Sequence, residues 1–283
     1  YITGRAGTTG FFVNGECIEF GDFSGGPGHH KVFESTDVIL GVLETARGAA
    51  CTMGLMFDYC DISVCSNVTT EHLDLHGIET IEEMAQLKLF IVDSAKKAVV
   101  LNADNEYSID MLKHLEGRIP WIVSSRLSLD ELTGLYGTAA NYCWAAQNSG
   151  AEWVWLKEAG GKETKVLPVS DLQVTFNGQL RYNLNNAMQA LCASRAQGVQ
   201  LEIIRNELSA FSPSYEVNPG RMNFYHGLPF TVLFDYAHNE DGVRQLGAFL
   251  DTLEVEGRKI ILTTQWEVYD DQEIMRRTTF LAG

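Results

Sequence analysis

No stretch of the sequence approaches 18 consecutive apolar residues, and residues 1–10 have neither a basic leader nor an apolar run behind one. The sequence therefore offers no membrane span and no export signal, and the expected home is the cytoplasm. Basic side chains are scarce: 21 Lys and Arg stand against 37 Asp and Glu, a formal charge of −16. An acid excess of that size repels phosphate backbones, which excludes nucleic acid as a general partner but leaves room for a local pocket that takes one small anion. The six cysteines (Cys17, Cys51, Cys60, Cys65, Cys143, Cys192) form no Cys-x-x-Cys and no ladder with histidine, so they read as reduced, mostly buried thiols. A phosphate-loop lysine is missing as well. The Gly-rich segment Gly4-Arg-Ala-Gly-Thr-Thr-Gly10 has none to reach the β/γ-phosphates, and reads as a turn leading into a hairpin at 11–15. Gly25-Gly-Pro-Gly-His-His30 lacks the same context, and its adjacent histidines read as solvent-exposed.

What is present is enough apolar side chain, 45% of 283 residues, to build cores for two domains. Short β-branched runs alternate with stretches of helical period, the pattern of α/β units around a mostly parallel sheet. Residues 37–44 and 59–67 read as buried strands, each followed by polar residues. Ile81, Met84, Leu87 and Ile91 recur at helical spacing over 80–94. Residues 98–102 and 121–124 read as further strands, with a short helix over 108–115. From 141 to 180 alternating Trp153/Trp155 and Leu172/Val174/Phe176, separated by a turn at 158–162, predict a small antiparallel sheet. Helical spacing returns over 185–195 and 201–208. Two prolines and a glycine within 211–220 mark a linker. Beyond it, 230–235 (strand), 242–253 (helix) and 258–264 (strand) read as one βαβ unit. The predicted division is a central domain over 1–212 and a partial Rossmann-like domain over 213–283.

Three groups of residues are placed for chemistry. Glu44, ending one predicted strand, and Asn67, Thr69, Thr70 and His72, after the next, share a crevice if the strands are neighbours, and open α/β sheets bind ligands in such crevices. A carboxylate and an imidazole there suit a divalent cation that also holds phosphate oxygens. They equally suit a solvated histidine and a helix-capping glutamate. Lys88, one residue past Leu87, either snorkels over its helix or turns its charge into the crevice. Asp235-Tyr-Ala-His-Asn239 ends the strand of the second domain, where Asp235 suits a ribose hydroxyl and His238 a phosphate; an ordinary strand-to-helix turn has the same look. Arg221, just past the linker, is placed either to meet an anion between the domains or to lie on the surface.

In chain order, Leu43-Glu-Thr-Ala-Arg-Gly48, Gly54-Leu-Met-Phe-Asp-Tyr-Cys-Asp61, Asn67-Val-Thr-Thr-Glu-His-Leu-Asp-Leu-His-Gly77, Leu101-Asn-Ala-Asp104, Asn183-Leu-Asn-Asn-Ala187, Asn218-Pro-Gly-Arg221 and Asp235-Tyr-Ala-His-Asn239 form an ordered set. The set resembles the Mur ligase superfamily of ATP-dependent amide-bond ligases, and within it the C-terminal ligase half of cyanophycin synthetases, where the Glu-Thr-Ala-Arg-Gly form occurs. The resemblance implies an α/β fold: a Mur-ligase-like central, ATP-binding domain over 1–212 and part of a Mur ligase C-terminal domain over 213–283. It implies ATP and Mg²⁺ as cofactors. The partners it implies are an amino-acid or peptide carboxylate, activated as an acyl phosphate, and an amino acid such as arginine. In a cyanophycin-type reaction, arginine would join an aspartate side-chain carboxylate.

By the same resemblance, Glu44 and His72 would hold Mg²⁺ beside the transferring phosphoryl group. Lys88 matches the lysine that is carbamylated in many Mur ligases, which makes Lys88, His72 and Glu44 the candidate catalytic residues. Asn183 and Asn186 resemble the asparagines near adenine and phosphate, with Tyr182 where many relatives have His. Arg221, Asp235 and His238 would complete the nucleotide site, and Asn67, Thr69 and Thr70 would shape the acceptor crevice. Two departures stand out: these residues contain no counterpart of the family's Gly-Lys-Thr-Thr loop, and the C-terminal domain of relatives continues through more strands. The expectation is that this chain by itself has little or no ligase activity, as a fragment of a longer ligase rather than a pseudoenzyme that keeps the fold. A ligase for a peptidoglycan-type precursor and a non-catalytic binding or scaffolding module are the alternatives, and homo-oligomer formation is left open.

Overall fold

The first strands form because apolar residues alternate around turns that need unusual backbone. In the computed structural model, which describes residues 1–70, 73, 76–237, 240–260 and 262, β1 (Thr3–Gly7) and β2 (Gly10–Val13) join through Thr8 and Thr9. β2 and β3 (Glu16–Glu19) join through Asn14 and Gly15, both at positive φ (50° and 87°), the pair that matches a two-residue hairpin turn to the strand twist. The Gly-rich segment is thus strand as far as Gly7 and turn only at Thr8-Thr9.

α1 (Gly26–Glu34) falls where the sequence suggested a loop. Pro27 sits in its first turn, where no N–H is needed, and a Cβ at Gly28 would lie 2.0 Å from the Phe23 carbonyl oxygen, so only glycine lets the helix approach. This helix corrects the reading of the paired histidines: His30 is exposed, but His29 is buried at 1% exposure. β4 (Leu40–Leu43) then pairs in parallel with β1, giving the sheet order β3-β2-β1-β4.

A second, six-stranded sheet follows. Its elements are α2 (Arg47–Met53), β5 (Cys60–Cys65), α3 (Ile81–Asp93), β6 (Ala95–Asn102), α4 (Glu106–Asp110) with a 3-10 turn, β7 (Ile119–Ser124), α5 (Leu129–Tyr136), β8 (Asn141–Asn148), β9 (Ala151–Lys157), β10 (Glu163–Pro168), α6 (Arg181–Ala196) and α7 (Leu201–Ala210). The order is β10-β9-β8-β7-β6-β5; the pairs from β5 to β8 are parallel and those from β8 to β10 antiparallel. The predicted antiparallel strands therefore extend the parallel sheet. Leu172, Val174 and Phe176 are not a strand: Val174 lies in a 3-10 turn (Gln173–Thr175) flanked by Leu172 and by left-handed Phe176 and Asn177.

Helices cover both faces, as a parallel sheet requires. Leu184, Met188 and Leu191 of α6 pack with Val100, Val123, Cys143 and Val154 on one side. Met84 and Val92 of α3 pack with Cys65, Val99, Leu101 and Met111 on the other. α3 begins in a capping box between Thr80 and Glu83, which satisfies two otherwise unpaired helix amides.

The expectation that residues 37–44 and 59–67 form neighbouring buried strands does not hold. Among the described residues β4 pairs only with β1, and β5 only with β6. β4 takes its one parallel partner from β1, at the start of the chain, and stands at the end of its sheet order, so β4 and β5 belong to different sheets. Val42 and Val64 are accordingly 54% and 46% exposed.

Residues 211–222 carry no helix or strand. β11 (Asn223–Tyr225) and β12 (Val232–Phe234) then pair antiparallel, and α8 (Glu240–Thr252) follows. Of the predicted strand over 258–264, residues 258–260 are not strand, and 261, 263 and 264 lie outside the described residues. Phe249 of α8 packs with Leu180 and Met222, backed by Phe176 and Phe224, which fastens this segment to the start of α6. All six cysteines are free; Cys65, Cys143 and Cys192 are buried and the other three half-buried. Among the described residues no helix is long and apolar enough to cross a membrane.

Candidate functional site

Glu44 lies directly after β4 with its side chain exposed, yet it is held. Thr8 donates its backbone N–H to Oε2 (2.8 Å) and its hydroxyl to Oε1 (2.7 Å). The Glu44 carbonyl oxygen lies 2.8 Å from His29 Nε2; a carbonyl only accepts, so that nitrogen carries the proton.

The loop after β5 is fixed by two asparagines to which the sequence assigned no role, one of them inside the Leu101–Asp104 block. Asn102 Nδ2 donates to the Ser66 carbonyl (2.8 Å). Asn105 bridges Val68, accepting from its N–H (3.2 Å) and donating to its carbonyl (3.0 Å), while it also caps α4 through Ser108 N. An asparagine ending a strand and another at a helix N-cap were the available signals. Lys88 Nζ donates to the Asn67 carbonyl at 2.8 Å, so the lysine points at this loop and does not lie along its helix. Asn67 and Thr70 are exposed and Thr69 half-buried; His72 lies outside the described residues. The segment after β5 reaches the first turn of α2, where a Cβ on Gly48 would lie 3.9 Å from His76 Cε1. Among the described residues no three His, Cys, Asp or Glu side chains are grouped to hold a metal. The donor set that is described, one carboxylate with a free lone pair on each oxygen, fits a hard cation such as Mg²⁺, which takes one or two carboxylates and fills its other positions with phosphate and water.

A second cluster gathers at the start of α6. Leu180, its N-cap, makes no side-chain capping bond. Asn183 Nδ2 donates to the Val174 carbonyl at 2.8 Å, while Asn186 faces solvent. Burial pushes the Tyr182 hydroxyl well above its ordinary pKa; the Asp235 carboxylate adds to the rise and the Arg221 guanidinium opposes it. The two charges reach Tyr182 from beyond the linker. Asp235 accepts from Met222 N (3.0 Å) and Ala237 N (2.8 Å), and Arg221 lies over the Tyr236 ring at 5.2 Å. His238 lies outside the described residues. A solvent-facing carboxamide, a guanidinium and the positive end of a helix are donors suited to a nucleotide.

Asp104 braces this cluster from below. It accepts from Ser124 Oγ (2.5 Å), from Ser125 N and Oγ (2.8 Å each) and from Asn185 Nδ2 (3.0 Å). Burial works to raise its pKa, but these hydrogen bonds outweigh it and hold the carboxyl below the usual range. Arg181 clasps Glu152 at 2.9 and 2.8 Å and donates to the Ser125 carbonyl, which ties the first turn of α6 to β9 and the end of β7.

The family model for the Mur ligase middle domain matches residues 3–194. The chain is 32% identical over 255 residues to the cyanophycin synthetase of Geminocystis herdmanii, covering 88% of this chain and 28% of that protein. It is 29% identical over 209 residues to the UDP-N-acetylmuramoyl-L-alanyl-D-glutamate–2,6-diaminopimelate ligase of Caldanaerobacter subterraneus, covering 72% of this chain and 38% of that protein. Escherichia coli FolC in complex with ADP shares the fold at a TM-score of 0.60 and 19% identity, over 91% of this chain and 61% of that one. A UDP-N-acetylmuramoyl-L-alanyl-D-glutamate–2,6-diaminopimelate ligase structure does so at 0.58 and 20%, over 88% of this chain and 48% of that one. The chain thus spans under a third of the cyanophycin synthetase it matches.

Proposed function

The chain belongs to the Mur ligase middle-domain family, and from that premise we propose that it supplies the central, nucleotide-binding part of an ATP-dependent acid–amino-acid ligase of cyanophycin-synthetase type. The observation that carries this reading is that Tyr182, at the start of α6, packs against the cluster of Leu180, Met222 and Phe249, which brings Arg221 and Asp235, the latter bonded to Met222 N, to this end of the helix from beyond the linker. A ligase of this kind would close two parts of its chain over one nucleotide, and these polar residues would line that closure.

Bound ATP and Mg²⁺ would supply the phosphoryl group that activates a carboxylate and the charge that neutralises it in transit. Glu44 would hold the cation, together with His72. Lys88, with its charge at the Asn67 carbonyl, would balance negative charge at the crevice as an amine, or join the metal ligands if carbamylated. Asn67, Thr69 and Thr70 would line the acceptor side. Asn183, Asn186, Arg221, Asp235 and His238 would hold the nucleotide. The carboxylate is proposed to be an aspartate side chain and the incoming amine an arginine, a cation that a protein of charge −16 attracts. Residues 1–283 include no Gly-Lys-Thr loop to cradle the β/γ-phosphates, so turnover by this chain alone is expected to be near background.

Calorimetric titration of the 283-residue chain with Mg·ADP and Mg·ATP tests the reading, with ATP hydrolysis followed in parallel. Nucleotide binding that weakens in Arg221→Ala and Asp235→Ala, without turnover, supports it. Absence of binding at millimolar nucleotide would favour the scaffolding alternative, and robust turnover would refute the need for the loop.

A further inference from the structure

We infer that Thr8 and His29 are positioning residues for Glu44, and that with Gly7 they present its carboxylate in one fixed orientation to a divalent cation. The inference rests on the cation role proposed for Glu44 above. Exposed glutamates sample many rotamers, but this one is gripped at both ends.

Thr8 does the work at the carboxylate. Its N–H and hydroxyl bind different oxygens of Glu44, at 2.8 and 2.7 Å, so the carboxylate plane is set by the β1–β2 turn. Each ionised oxygen has a second lone pair, and Thr8 uses one on each, so two remain for a ligand. Gly7 makes the approach feasible: a Cβ there would lie 2.7 Å from Glu44 Oε2, inside contact distance.

His29 does the work at the backbone. Its Nε2–H holds the Glu44 carbonyl, and its ring lies 5.7 Å from that of Phe57. The residue is 1% exposed, and Nδ1 is buried with no hydrogen-bond partner among the described residues. Packing alone would favour an apolar ring here, since a buried, unpaired nitrogen is unfavourable. What the imidazole provides that Phe cannot is the single donor at Glu44. Partners that orient a metal-binding carboxylate in this way spare it the ordering entropy on binding, and their loss commonly weakens metal affinity by about 10-fold or more.

Mn²⁺ serves as the probe, read by paramagnetic broadening of the residue 8 and residue 44 amide resonances in the intact chain, beside the melting temperature of each variant. Broadening is expected in the parent and is expected to be abolished in Glu44→Gln. Thr8→Val and His29→Phe should each weaken Mn²⁺ by about 10-fold, while Thr8→Ser and His29→Gln, which keep a donor, should stay near the parent at similar melting temperatures. If Glu44→Gln abolishes binding but Thr8→Val and His29→Phe leave it unchanged, the positioning inference is overturned and the cation reading stands. If the parent shows no broadening, or Glu44→Gln retains it, the cation reading itself fails.

Discussion

Asn185 donates to Asp104 at 3.0 Å although the two stand 81 residues apart in the chain. That bond, with the Ser124 and Ser125 bonds to the same carboxylate, joins the ends of β6 and β7 to the start of α6. The helix whose first turn faces the proposed nucleotide is therefore set by a carboxylate beneath it, and the consequences can be measured.

Asp104→Asn is expected to destabilise the chain by about 1–3 kcal/mol at pH 7, because donors aimed at the carboxylate meet an amide. The sign follows from its depressed pKa: the stability that Asp104 lends is present above its unfolded value of about 4 and is lost as pH falls through the lower folded value. Urea unfolding from pH 2 to 7 should show parent and variant converging at the acid end. A gap independent of pH would reject this.

Tyr182 has the opposite dependence. Its pKa is raised, so the folded state favours the neutral phenol, and the stability it contributes is present below about pH 10 and lost as pH rises beyond it. Tyr182→Phe should therefore lose less stability than the parent between pH 9 and about pH 11, and its tyrosinate absorbance should lack one group that titrates above the ordinary range.

Leu184→Ala empties a fully buried position in the core between α6 and the sheet. A loss of about 2–5 kcal/mol is expected in urea unfolding. A loss below about 1 kcal/mol would mean that the helix does not pack on the sheet as described.

Gly28→Ala places a methyl against the Phe23 carbonyl, a backbone atom with little room to move. A loss of about 3 kcal/mol is expected. It should be read on the tyrosine and phenylalanine near-ultraviolet signal and in the melting temperature, and an unchanged melting temperature would contradict the α1 geometry.

Much of the fold was legible because its signals are local. The β-branched runs found β5, β6 and β7, the spacing of Ile81, Met84, Leu87 and Ile91 found α3, and the Trp153/Trp155 alternation found β9. α1 was hidden because glycine and proline mark loops on average, whereas here Pro27 opens a helix and Gly28 permits a close approach. Leu172, Val174 and Phe176 alternate like a strand but are curled by the left-handed residues that follow. The site was legible only in parts. Glu44, Lys88 and Asp235 stood out by type and place, but whether β4 and β5 are neighbours is a long-range pairing that no local pattern encodes. Thr8, His29, Asn105 and Asp104 act through partners 15 to 81 residues away, and their roles become visible only when those partners meet.

The separation of β4 from β5 also bears on how the chain behaves in bulk. Each strand leaves one edge without a partner among the described residues, beside valines in contact with water, and such edges are templates for pairing between molecules. A common charge of −16 opposes such pairing, and its reach shrinks from about 10 Å at 0.1 M salt to about 3 Å at 1 M. Association should thus depend on salt: light scattering is expected to show larger particles in concentrated neutral salt than in dilute buffer, well below the melting temperature.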